Sequence, residues 1–115
     1  MSRNAKCRRI CAEFQNKNFY PEDGVDNNNI IITMDELEAM RLCDFEGLEQ
    51  EEAATRMQIS RGTFQRILYS GRKKTTEALC TGSSVLINGG NYEIATTPCD
   101  RYPICKCCMY TMPEE

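Results

Sequence analysis

The chain contains no histidine, and that absence removes two kinds of chemistry. No imidazole is available for acid–base catalysis, and no catalytic zinc site with histidine ligands can be built. The sequence also lacks any run of about 18 consecutive apolar residues, the minimum for a membrane span. From Met1 to Asn18 there is charge but no apolar stretch resembling a signal peptide. A phosphate-cradling glycine loop and a nucleophile motif are missing as well. These gaps lead to the expectation of a protein that is not an enzyme, has no membrane partner and stays in the cytoplasm.

What is present fits one hydrophobic core with decorations, because 115 residues cannot support two independent cores comfortably. Eight cysteines in a reducing compartment point to metal binding or redox chemistry more than to disulfides. Cys7 and Cys11 lie near one end, and Cys99, Cys105, Cys107 and Cys108 near the other. With no histidine to share the task, any metal these six thiols hold is expected to be zinc in an all-cysteine site or an iron–sulfur cluster. The spacing lacks two Cys-x2-Cys knuckles, so it does not say which four bind, and neighbours such as Cys107 and Cys108 seldom both ligate one ion. A redox-active thiol set without metal, or no special role, are the alternatives. Cys43 and Cys80 fall in or near predicted helices and read as small buried hydrophobes.

The net charge of −3 conceals two opposed blocks. Eight acids stand between Asp35 and Glu52 against the single base Arg41, and they read as exposed faces of helices. Between Arg61 and Thr76 the balance inverts: Arg61, Arg66, Arg72, Lys73 and Lys74 occur with no acid. A local block of this kind suits the neutralisation of phosphates, whatever the sum over the chain. A plain solvated helix face is the bland alternative.

Residues 15 to 29, rich in Asn, Asp, Gly and Pro, read as a loop. Ile30 to Ile32 is β-branched and suits a strand, and Thr33 with Glu36 has the spacing of a capping box that opens a helix over 34 to 46, stopped by Gly47. A second helix is expected from Glu49 to Met57, and a third begins after Ser60, a good N-cap, and runs on toward Leu79. Two apolar runs around Asn88-Gly-Gly-Asn91 predict a β-hairpin. The fold class is therefore mainly α with a small β component. Residues 1–32 form a basic Cys-containing arm and loop, 33–80 a three-helix core, 81–96 the hairpin and 97–115 a cysteine-rich tail.

Leu48 to Leu68 has the pattern of a helix-turn-helix. Small Ala53 and Ala54 let two helices cross closely, Ile59 fills the space under the turn, and Phe64 and Ile67 pin the following helix so that its first turns can enter a major groove. Gln58 stands where the turn favours Gly, so positive φ is expected there at some cost. Glu49 caps less well than Ser or Thr.

The segments Cys7-Arg-Arg-Ile-Cys11, Thr33-Met-Asp-Glu-Leu-Glu-Ala-Met-Arg-Leu42, Asp44 to Ala54, Ser60-Arg61, Thr63-Phe64, Arg66-Ile-Leu68 and Gly89-Gly-Asn-Tyr92 closely resemble uncharacterised protein family 0251, also called domain of unknown function 134. The resemblance implies a DNA-binding protein whose helix-turn-helix is similar to region four of bacterial sigma factors. The chain departs from the family pattern at Glu49, Gln58, Gly62 and Gln65, which puts the target sequence in doubt more than the fold.

By position, Arg61, Thr63, Gln65 and Arg66 are candidates for contact with bases, since Arg suits guanine and Gln suits adenine in the major groove. Tyr69 lies on the same outward side, and Arg72, Lys73 and Lys74 are candidates for gripping phosphates. The expected function is sequence-specific binding of double-stranded DNA in transcriptional regulation, with a cysteine metal site that is either structural or redox-sensing. A unit this small reads a half-site, so a homodimer through the hairpin or the first helix is expected. The competing reading is an interaction module whose acidic first helix binds a basic partner and not DNA.

Overall fold

A computed structural model describes residues 8–22 and 28–95. In chain order the elements are β1 (Arg8–Ile10), β2 (Asn18–Phe19), β3 (Asn29–Ile32), α1 (Met34–Met40), a π-helical turn (Arg41–Phe45), α2 (Gln50–Met57), α3 (Arg61–Thr81), β4 (Ser84–Ile87) and β5 (Tyr92–Ile94). The architecture is mainly α with a small β component. β2 lies inside the stretch expected to be all loop.

The local signals for α1 are met. Thr33 accepts a hydrogen bond from the Glu36 backbone N–H, and the Glu36 carboxylate accepts one from the Thr33 backbone N–H, closing the capping box. The expected single helix over 34 to 46 instead changes its winding at Arg41, where wider i→i+5 bonding takes over, as from Glu46 N–H to Arg41 C=O at 2.8 Å. Gly47, at φ 84°, ends it.

α2 and α3 meet across residues 58 to 60. Gln58 sits at φ 62°, the left-handed conformation expected of it. Ser60 caps α3 by accepting from the Thr63 N–H at 3.2 Å. α3 runs past Leu79 to Thr81 and stops at Gly82, also left-handed.

The core has two parts. Ala39, Leu42, Ala53, Ala54, Met57, Phe64 and Leu68 form one cluster between the helices. Ile10, Ile32, Met34 and Ile87 form the other, between α1 and the strands. Met40 packs against both. Gly71 lets α1 and α3 approach closely: a Cβ there would lie 3.2 Å from Glu36 and from the Met40 methyl.

The expected β-hairpin does not form, although both strands stand where the sequence puts them. β4 is the centre of a three-stranded sheet, antiparallel to β2 and parallel to β3, while β5 pairs parallel with β1. The intervening Gly89-Gly90 turn folds over the start of α1 and does not close a hairpin. The Gly89 carbonyl accepts from Met34 N–H at 2.9 Å, and Asn88 N–H donates to Ile32 C=O at 3.0 Å. Turn sequence alone cannot distinguish these outcomes, because the competing partner lies more than 50 residues earlier in the chain. The whole helical unit is thus the crossover that makes β3 and β4 parallel.

Two burial expectations are corrected. Asp35, Glu36 and Glu38 are not an exposed acidic face: they are 7%, 7% and 1% exposed. Cys80 is exposed and Cys43 half-buried, so neither is a fully buried hydrophobe.

Candidate nucleic-acid interface

α3 turns Phe64, Leu68, Gly71 and Ala78 into the core. Helical periodicity then places Arg66, Tyr69 and Lys73 on the opposite, exposed side. The first turn of α3 holds no acid, so the positive end of the helix dipole is reinforced by Arg61 and opposed by nothing nearby in sequence. α2 packs against it through Ala53 and Ala54, both buried, while Arg61 and Gly62 at the start of α3 are exposed.

Three side chains organise that start. The Ser60 hydroxyl donates to the Thr63 hydroxyl at 3.1 Å, and the Arg66 guanidinium donates to the same oxygen at 3.3 Å. This chain fixes the spacing between Thr63 and Arg66 before any ligand arrives, which lowers the ordering cost of a contact. Arg61, exposed, and Gln65, half-buried, flank it.

The second half of the basic block behaves differently. The Arg72 guanidinium makes two bonds to the Asp44 carboxylate, at 2.8 and 3.2 Å, and lies 5.8 Å from the centre of the Tyr69 ring. Its hydrogen bonds to Asp44 raise its pKa further above the ordinary arginine value. Lys74 bonds Glu36 at 3.0 Å. Lys73 alone of the three expected phosphate grips has no carboxylate partner among the described residues. Sequence reasoning missed Asp44 and Glu36 as partners, since each lies 28 or more residues away. The one available signal was the capping box, which commits Glu36 to the Thr33 backbone.

Glu36 has a third ligand, the Ser70 hydroxyl at 2.6 Å. Burial pushes its carboxyl upward, but the bonds from Ser70, the Thr33 backbone and Lys74 outweigh this and hold it below the ordinary glutamate value. Glu38, deeper still, makes a two-pronged pair with Arg41 at 2.9 and 3.0 Å and accepts from the Cys11 backbone N–H at 3.3 Å. Arg41 reaches on to Glu46 at 2.7 Å. The acids of α1 therefore hold the scaffold behind α3, and the surface that an acidic docking helix needs is largely used up.

Of the six cysteines expected to bind metal, Cys11 is buried, its sulfur 3.6 Å from an Arg9 guanidinium nitrogen. Cys7, Cys99, Cys105, Cys107 and Cys108 lie outside the described residues. Among the described residues no cluster of cysteine and carboxylate side chains gathers into a metal-binding group. No described helix is long and apolar enough to cross a membrane.

No solved structure matches the chain. It is 51% identical over 96 residues to a UPF0251 protein of Clostridium novyi, covering 80% of this chain and 64% of that one. The chain thus spans somewhat less than two thirds of that relative's length. A UPF0251 protein of Pelotomaculum thermopropionicum is 41% identical over 82% of this chain and 73% of its own. One of Ruminiclostridium cellulolyticum is 38% identical over 94% and 95%. Residues 1–95 match the family model described as protein of unknown function DUF134. With a match over most of its length and relatives of this identity, the chain belongs to the DUF134 family, whose curated members carry the name UPF0251.

Proposed function

We propose that this protein binds double-stranded DNA sequence-specifically as a transcriptional regulator, with the start of α3 as its recognition element. The observation that carries the reading is the outward line of Arg66, Tyr69 and Lys73, with Arg61 exposed on a different side of the acid-free first turn, on a helix joined to α2 by a three-residue turn. A helix presented in this way fits a major groove. Arg61, Thr63, Gln65 and Arg66 read base edges. Lys73 supplies a phosphate contact, and Arg72 and Lys74 serve mainly to lock α3 to the π-helical turn and α1.

A cysteine metal site, zinc or iron–sulfur, accompanies this function. What supports it is the parallel pairing of β1 with β5: Ile10 stands opposite Ile94, and Ala95 N–H donates to Ile10 C=O at 2.7 Å. That register brings the chain alongside Cys11 only four residues before Cys99. Thiols from the two ends of the sequence then need to span little distance to share one ion, and the ion staples both ends.

The test is selection from a randomised duplex pool, followed by titration of the selected and an unrelated duplex at two salt concentrations. Arg66→Ala costs about 1–3 kcal/mol on the selected sequence and relaxes specificity, whereas Lys73→Ala weakens both duplexes alike and lowers the salt slope by about one. Absence of salt-dependent duplex binding by the unmodified protein refutes the reading. Equal losses on both duplexes for both variants remove the division of roles.

A further inference from the structure

Two of the five cations in the basic block of α3 are answered by carboxylates from other elements. Lys74 pairs with Glu36 of α1 and Arg72 with Asp44 of the π-helical turn, while Arg61, Arg66 and Lys73 have no carboxylate partner among the described residues. The two pairs differ in what they do for the fold. Glu36 is buried and closes the capping box of α1, so its charge belongs to the scaffold. Asp44 is close to half exposed, its side chain at 45% and that of Arg72 at 44%, and among the described residues its carboxylate bonds Arg72 alone.

Arg72 stands where a backbone contact would be made. At 100° per residue it lies about 20° from both Arg61 and Gln65 around α3, and about 60° from Tyr69, so it shares a side of the helix with two of the proposed base readers. Along the axis it is about 10 Å beyond Gln65, past the N-terminal turns that contact base edges, and what a cation can grip there is phosphate. Asp44 already holds the guanidinium in the manner a phosphate would. It accepts from Nη2 at 2.8 Å and from Nε at 3.2 Å, the two-pronged arrangement that arginine makes with carboxylate and phosphate alike. The Tyr69 ring beside the guanidinium limits its remaining freedom.

Leaving Asp44 for a phosphate gains Arg72 little. Paired, the two side chains sum to zero charge and displace no counter-ion from DNA. If Arg72 turned to a phosphate, the Asp44 carboxylate would be left bare beside the same backbone, and like charges repel. The exchange replaces one two-pronged bond with another of the same kind and adds that repulsion, so the pair persists when DNA arrives.

Resting on the DNA-binding reading, we propose that Asp44 withholds Arg72 from the DNA backbone and so sets the part of the affinity that does not depend on sequence. Asp44 is then a positioning residue outside the helix-turn-helix, which acts through Arg72 and itself touches no DNA. Binding to unrelated sequence is almost wholly electrostatic, so cancelling a charge on the recognition helix shortens the time spent there. Discrimination between sequences is left alone, because phosphate contacts carry no sequence information.

The test is titration of a fluorescently labelled random-sequence duplex with the full chain, read by anisotropy between about 50 and 200 mM salt, for the unmodified protein, Asp44→Asn, Arg72→Gln and the double variant. Asn keeps the size of the side chain and removes its charge, and circular dichroism checks the fold. Asp44→Asn should tighten binding about threefold at the low-salt end and steepen the slope of log K against log salt by about 0.9, the signature of one more phosphate. On the Arg72→Gln background the same change should move the slope far less, and Asp44→Glu, which keeps the charge, should bind like the unmodified protein. A purely structural role for Asp44 predicts the opposite sign, since a loosened α3 binds more weakly. If the unmodified protein binds duplex and Asp44→Asn leaves the slope unchanged or weakens binding, this inference is overturned and the DNA reading stands. Equal gains with and without Arg72 overturn it as well, because Asp44 then acts by direct repulsion and not through Arg72. No salt-dependent binding by any of the proteins refutes the DNA reading and this inference with it.

Discussion

Replacing Gly90 by Ala tests whether the turn after β4 is a clamp on α1 or a passive link. Gly90 has φ 104°, and a Cβ there would lie 2.6 Å from an Asp35 carboxylate oxygen and 2.9 Å from the Thr33 Cβ. Positive φ alone costs an Ala about 1–2 kcal/mol, partly offset by about 0.4–1 kcal/mol from a stiffer unfolded chain. The two contacts are too short to keep. Either Asp35, which accepts from Thr33 Oγ1 and the Glu36 N–H, must swing away from the cap, or the turn must lift and break the bond from Met34 N–H to Gly89 C=O. Either loss is worth about 1 kcal/mol, which brings the expected cost for Gly90→Ala to about 1–3 kcal/mol. Gly89→Ala is the control, because Gly89 also has positive φ, 78°, yet a Cβ there would meet nothing within 4 Å. It should cost about 1 kcal/mol. Urea unfolding followed by far-ultraviolet circular dichroism gives both values at constant m. Equal losses for the two variants would refute the clamp.

Gln58→Gly should stabilise the protein by about 1 kcal/mol, since the left-handed conformation at φ 62° costs a non-glycine residue about that much; thermal unfolding that moves downward instead contradicts this. The depressed Glu36 carboxyl makes a signed prediction: its stabilising contribution is complete above the ordinary glutamate value of about 4.3 and is lost as pH falls through the lower folded value. Glu36→Gln should therefore lose stability at neutral pH and flatten the acid limb of the stability curve below about pH 4. For the cysteine site, anaerobically purified protein should contain zinc, or iron with visible absorbance, and chelation should lower stability. Substituting Cys11 by Ser should reduce metal content, and unchanged stoichiometry would exclude it as a ligand.

Much of the helical layout was written in local sequence. Thr33 and Glu36 stand three apart and cap α1, Ser60 caps α3, Gly47 and Gly82 end helices, and Gln58 takes the positive φ that a tight turn between α2 and α3 demands. Each of these signals acts within one or two turns of chain, so neighbouring residues suffice to determine it. The alternation of Phe64, Leu68 and Gly71 with Arg66, Tyr69 and Lys73 also assigns a buried and an exposed side without reference to anything distant. The candidate recognition surface was legible for that reason.

Tertiary structure decided what the same residues are paired with. Val85 and Tyr92 lie in strands that the sequence places correctly, yet β4 joins β3 and β2 while β5 joins β1, because pairing depends on edges supplied by residues far away in the chain. The acids of α1 looked like a solvated face until Arg8, Arg41, Ser70 and Lys74 converged on them. Arg72 and Lys74 looked equivalent to Lys73 until Asp44 and Glu36 took two of the three. A hydrophobic or charged pattern says which way a side chain faces on its own helix; only the packing of helices against one another brings the opposite charge that determines whether that side chain is free to bind.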